Sequence, residues 1–202
     1  MNQTIYLVRH AQPDFTNKDD SRSLSQKGLQ DCQLIDKFFY HHKIDLILSS
    51  PYKRAYETVL SLAKQKRLEI ICDERFRERK ITNHWIEDFD DFSQKQWQDF
   101  SYRYSDGESL AQVQKRILAG LTETLHHSNA KTIVIGSHGT AISTVIKHYH
   151  PRFDYQYFQD IKNLMPFILK IKFEDKLASS LILYNLFTGE EISYLIKNQE
   201  KT

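Results

Sequence analysis

The chain has 202 residues, 40% of them hydrophobic and 27% charged, the balance of a soluble globular protein with room for a full core. A formal charge of +2 and no basic run interleaved with aromatics argue against a nucleic-acid partner, and no stretch approaches the roughly 18 apolar residues of a membrane span. The start, MNQTIYLVRH, lacks the order of a signal peptide, and Cys32 and Cys72 form no disulfide framework, so the expected location is the cytoplasm.

Short apolar runs recur along the chain: Thr4–Val8, Ile44–Leu48, Leu68–Cys72 and Thr132–Ile135. Rich in Ile, Leu and Val without clean alternation, they read as parallel strands covered on both faces. Between them lie helical patterns. Leu29, Cys32, Ile35, Phe38 and Phe39 share one face, as do Ala55, Val59, Leu62 and Ala63. A third helix is expected from about Ser109 to His126, with Leu110, Val113, Ile117, Leu121 and Leu125 inward, and a fourth after Gly139. Phe167–Phe173 and Leu181–Leu186 read as strands that finish the sheet. Strands alternating with helices predict an α/β sandwich with a mostly parallel sheet, as a single domain over residues 1–202.

Residues Thr82 to Tyr104 differ, with Trp, Phe and Tyr crowded among acids. Trp85, Phe89 and Phe92 fit helix spacing, as do Trp97 and Phe100. The segment reads either as a helical excursion that packs aromatics on the core or as a helical cap over a site.

In open parallel sheets, ligands bind outside the carboxyl ends of the strands. After Val8 come Arg9 and His10. After Leu48 comes SSPYKRAYET, with Ser50 and Pro51 expected as N-cap and first helical residue and Arg54 close behind. After Cys72 comes DERFRERK, which contains Glu78, and after Ile135 comes GSHGT, with His138. Two guanidiniums, two imidazoles and a carboxyl thus gather at one sheet edge. His10, His138 and Glu78 could ligate a metal, but two adjacent arginines would repel a cation. They suit a phosphate dianion, whose oxygens pair with guanidinium forks.

These segments also resemble, in order, the motifs of the histidine phosphatase superfamily, the phosphoglycerate mutase-like group. LVRHAQP is similar to its LVRHGE signature, SSPYKRAYET to SPxxRAxxT, RFRERKI to its LxE segment, DGES to the GES before a helix, and VIGSHGT to the second-histidine motif. The resemblance implies a three-layer α/β/α sandwich and no cofactor or metal. It implies His10 as a nucleophile that becomes phosphohistidine, with Glu78 as proton donor to the leaving alcohol. Arg9, Arg54 and His138 would hold the phosphoryl oxygens, and Asn17 and Gln12 would join them in binding substrate. The substrate would be a small phosphorylated metabolite. Ala11 and Gln12 stand where the family has Gly and Glu, and the family's W-E-G after the acid is only echoed by Trp85 and Glu87.

A phosphomonoesterase is the expected activity. A mutase would need extra cations in the inserted segment to grip a carboxylate. There, Lys95 and Arg103 face Glu87, Asp88, Asp90, Asp91 and Asp99, which favours the hydrolase. The third reading is an inactive relative that binds phosphorylated ligands, with the altered Ala11–Gln12 pair as its support. Glu108 is expected either at the pocket or at the first turn of its helix, and His84 could contact substrate from the cap.

Overall fold

The computed structural model describes residues 2–16, 19, 21–83 and 86–197. Its order is β1 (Gln3–Arg9), α1 (Gln26–Phe38), β2 (Leu46–Ser49), α2 (Lys53–Lys66), β3 (Ile70–Cys72), a 3-10 turn at Glu74–Phe76, α3 (Phe89–Gln98), α4 (Leu110–His127), β4 (Thr132–Ser137), α5 (Gly139–Tyr149), α6 (Tyr155–Ile161), β5 (Phe167–Glu174), β6 (Leu177–Asn185) and β7 (Glu191–Tyr194).

Strand β1 shows why the sheet lies inside. Ile5 and Leu7 join one apolar cluster, with Leu110, Val113, Ile117 and Leu121 of α4 and Ile142 and Val145 of α5. Tyr6 and Val8 join a second, with Ile35 and Phe39 at α1 and Val59 and Leu62 of α2. Because side chains alternate along a strand, the two clusters lie on opposite faces, and the layers are helix, sheet, helix. Each such fully buried Ile, Leu or Val contributes about 1.5–3 kcal/mol. Ser25 caps α1 by accepting from Gly28 N, and Ser109 and Gln112 form a capping box that fixes the start of α4.

The sheet order is β3-β2-β4-β1-β5-β6-β7. The four strands from the β3 edge inward, β3, β2, β4 and β1, are parallel, as expected. Beyond β1 the pairing turns antiparallel, so the sheet as a whole is mixed. The cause is local. Asp175 and Lys176, at φ 47° and 68°, link β5 and β6 as a two-residue hairpin, and such turns join antiparallel neighbours. The run Leu68–Cys72 is not covered on both faces, because it forms an edge strand in which Ile71 is exposed. Strand β7 and helix α6 were not expected; each is too short to show a period.

The segment around α3 packs on the core. Trp97 is buried and stacks on Phe158, with ring centroids 5.4 Å apart, and Phe92 is also buried. Trp85 and His84 lie outside the described residues. Among the described residues, no helix is long and apolar enough to cross a membrane.

Candidate active site

Register brings the carboxyl ends of the core strands level. Arg9 pairs with Ser137, Ser49 with Gly136, and Ser49 with Cys72. The chain then leaves each strand at one edge. His10 N donates to Ser137 O at 3.0 Å and Ser50 N to Gly136 O at 2.8 Å, so these loops begin as extensions of the sheet.

His10 is buried, and its Nδ1 lies 2.7 Å from Ala11 O. A carbonyl oxygen only accepts, so Nδ1 carries the proton and Nε2 keeps its lone pair. Burial, reinforced by the charges of Arg54, Arg9 and Arg22, pushes the His10 pKa well below the usual imidazole value, against the opposing bond to Ala11. The loop is itself held. Ala11 N donates to Thr58 Oγ1 at 3.0 Å, and that hydroxyl donates to Arg54 O at 2.7 Å. Gly28 gives the loop room on α1, because a Cβ there would stand 2.1 Å from Gln12 O.

His138 is fully buried, with Nε2 2.8 Å from Ser50 Oγ and its ring 5.2 Å from that of His10. Burial first, then Arg54, holds its pKa down as well. Arg9 donates from Nη1 to Ile161 O at 3.0 Å and Leu164 O at 2.9 Å, so the end of α6 fixes its guanidinium. Burial lowers its pKa to about 10 against the pull of Glu78, which leaves it charged at neutral pH. Gly139 leaves it room, since a Cβ there would lie 2.8 Å from Arg9 Cζ and displace the guanidinium. Arg54 is buried, with its guanidinium 4.9 Å over the Tyr52 ring.

Glu78 reaches the start of α5. Its Oε2 accepts from Thr140 N at 3.1 Å, and its Oε1 from Ala141 N at 3.2 Å and Arg79 N at 2.9 Å. The backbone behind it is clamped by Glu108, which accepts from the Arg77 fork (2.5 and 2.9 Å), the Arg116 fork (both 3.2 Å) and Lys80 N (3.0 Å). Arg116 Nη1 also donates to Arg75 O and Arg77 O. Glu108 therefore acts neither in the pocket nor in the first helical turn; it ties two loops together. Burial raises its proton affinity, but these donors outweigh that and hold its pKa below the usual carboxylate range.

Arg9, His10, Arg54 and Glu78 line one cavity of about 1320 Å³. His138 lies behind that wall, against His10. Gln12 stands apart: its Oε1 accepts from Ser25 Oγ at 3.0 Å, at the cap of α1, and it does not line the cavity. Asn17 lies outside the described residues. The start of α2 also differs from expectation. Its N-cap is Tyr52 and its first residue Lys53, because Ser50 Oγ is engaged by His138 and accepts from Tyr52 N at 3.2 Å.

Two site residues escaped the sequence reading. Arg22 lines the cavity and adds its charge against His10. Ser50 supports His138. Arg22 carried no signal, since it sits in an aperiodic loop, whereas Ser50 could have been noted as a hydroxyl at a strand end.

A neutral imidazole with a free Nε2, ringed by guanidiniums at the carboxyl edge of a parallel sheet, can receive an anionic group and attack it. The chain belongs to the histidine phosphatase superfamily (branch 1), whose family model matches residues 5–181. It is 28% identical over 152 residues to Phosphoserine phosphatase 1 of Hydrogenobacter thermophilus, covering 66% of this chain and 70% of that one. Its fold matches the mycobacterial glucosyl-3-phosphoglycerate phosphatase at TM-score 0.70 and 15% identity, over 98% of this chain and 100% of that one. It also matches, at TM-score 0.68 and 22% identity, a phosphoserine phosphatase mutant from Entamoeba histolytica in complex with phosphoserine, over 89% and 94% of the two chains.

Proposed function

We propose that the chain is a phosphomonoester hydrolase that works through a phosphohistidine on His10, without metal or cofactor. The observation that carries this reading is the bond from His10 Nδ1 to Ala11 O, which commits one nitrogen and leaves the other as the nucleophile. In the first step the Nε2–P bond forms and the P–O ester bond breaks, with a proton passing from Glu78 to the leaving oxygen. In the second, water attacks phosphorus, the N–P bond breaks, and Glu78 recovers a proton from the water. Arg9, Arg54, His138 and Arg22 stabilise the charge on the phosphoryl oxygens. Asn17 is retained as a further phosphate ligand, while Gln12 is reassigned to supporting the loop at Ser25. Phe89, Ile86 and Thr82 line the same cavity, which supports residues 82–104 as a cap that shapes the leaving-group side.

The test is phosphate release from p-nitrophenyl phosphate, in chelator, by wild type and His10→Ala. Turnover should fall at least a thousandfold in the variant, and wild type should yield an acid-labile, base-stable phosphoenzyme on rapid quenching. Variant turnover within tenfold of wild type would remove His10 from the mechanism.

A further inference from the structure

Ser50 and His138 meet behind the cavity wall, and both are fully buried. His138 Nε2 stands 2.8 Å from Ser50 Oγ, while its Nδ1 lies out of solvent with no hydrogen-bond partner among the described residues. The contact alone does not say which atom donates, because an imidazole nitrogen and a hydroxyl can each do either. The surroundings of Ser50 decide it. Its Oγ already accepts from Tyr52 N at 3.2 Å, so one lone pair is taken. Its own proton needs an acceptor, and the one in reach among the described residues is His138 Nε2. Leaving a buried hydroxyl proton without one would cost about 1–3 kcal/mol. Nε2 therefore accepts. Burial and the charge of Arg54 keep the ring neutral, so its single proton sits on Nδ1.

The fold sets this pair rigidly. Ser50 follows β2 and His138 follows β4, which are neighbours in the sheet. Ser50 N donates to Gly136 O at 2.8 Å, and Ser49 Oγ donates to Ser50 O at 2.8 Å. His138 caps α5 with its backbone, since Ile142 N donates to His138 O at 2.9 Å, and that bond holds the residue without choosing its ring proton. The choice matters because the His138 ring lies 5.2 Å from that of His10, at 63° between planes. With its proton on Nδ1, that nitrogen is a buried donor in want of an oxygen. With the proton on Nε2, the same spot would hold a lone pair, which repels an anionic oxygen.

We propose that Ser50 is a positioning residue that locks His138 in the Nδ1–H tautomer, so that this buried N–H donates to a phosphoryl oxygen carried on His10. The second half of the inference rests on the phosphatase reading; the lock itself does not. His138 acts as a neutral donor whose proton stays on Nδ1 throughout, and its bond strengthens as charge gathers on the oxygen. Ser50 touches neither the substrate nor the reacting atoms.

The experiment is 15N-histidine labelling of the full chain, read by long-range proton–nitrogen correlation, in which protonated and bare ring nitrogens resonate far apart. His138 is assigned by the signals lost in His138→Gln. Wild type should show Nδ1 protonated and Nε2 bare, and Ser50→Ala should move both signals toward the other tautomer. A wild-type proton on Nε2, or a tautomer that Ser50→Ala leaves unchanged, overturns the lock. The wild-type spectrum carries the test even where Ser50→Ala does not fold. Orthovanadate, as a phosphoryl mimic, should shift the Nδ1 signal in wild type, and an unmoved signal overturns the contact with the phosphoryl oxygen. On an aryl phosphate Ser50→Ala should lower kcat ~10-fold or more, short of the roughly 10²–10³ for deleting such a donor outright. In a His138→Gln background the same change should cost less than ~3-fold, because an amide has no tautomer to lock. Equal losses in the two backgrounds would make Ser50 a structural residue and overturn the proposal. Should wild type release no phosphate, the hydrolase reading fails, and the spectra with and without vanadate still decide the lock and the contact.

Discussion

His10 should make the protein sensitive to mild acid, and the size of the effect can be worked out. The native imidazole is held neutral by burial and by Arg54, Arg9 and Arg22, so its folded pKa lies well below the ordinary value. The unfolded chain takes up a proton near pH 6.5, and the native state does not. Between the two pKa values the unfolded state therefore binds more protons, and stability rises with pH and falls with acid. For one such group, lowering the pH from 7.5 to 5.5 costs about 1.4 kcal/mol. His138, His42 and His148 are shifted in the same direction, so wild type alone does not isolate His10. His10→Asn does, because its amide can still donate to Ala11 O. Urea titrations at both pH values should show the variant losing about 1.4 kcal/mol less than wild type, or roughly 0.5–0.7 M in midpoint. Carboxylates with lowered pKa contribute mainly below this window. Equal acid losses in the two proteins would mean that native His10 takes up its proton normally, and the neutral-nucleophile argument would fail with it.

Two further outcomes follow from the packing around the site. Gly139→Ala places a methyl 2.8 Å from Arg9 Cζ, so the guanidinium must shift from its position against the carbonyls of Ile161 and Leu164. KM for an aryl phosphate should rise about tenfold or more, as expected for losing a charge-assisted contact, and an unchanged KM would show that Arg9 does not hold substrate. Glu108→Gln weakens the acceptor shared by Arg77, Arg116 and Lys80 N. It should cost about 2–3 kcal/mol and slow alkyl esters more than aryl esters, since Glu78 loses its backing; equal slowing would separate Glu108 from the acid.

The sequence carried the parallel core because Ile5, Leu7, Tyr6 and Val8 are apolar on both strand faces, a pattern that only a buried strand tolerates. It carried Arg9, His10, Arg54, Glu78 and His138 because the topology of parallel strands sends their ends to one edge. What it hid is set by direction rather than by period. Arg22 belongs to a loop whose side chains are aimed by tertiary contacts. Ser50 matched an N-cap pattern, but its hydroxyl was claimed by a histidine 88 residues away.

The same distinction bears on the Ala11–Gln12 pair, the support for an inactive relative. Ala11 costs little where the family has Gly, because its φ is not in the positive region, and its N–H is met by Thr58. Gln12 turns from the cavity to the Ser25 hydroxyl, a bond that either an amide or a carboxylate oxygen can accept. Neither substitution removes a donor from the proposed phosphoryl pocket. The change from Glu to Gln deletes a negative charge from a loop that borders the proposed anion site, where like charge would oppose binding. The departures from the family pattern therefore fall on groups that support the loop, while the groups able to meet the phosphoryl oxygens remain. That distribution favours a working hydrolase over a binding module.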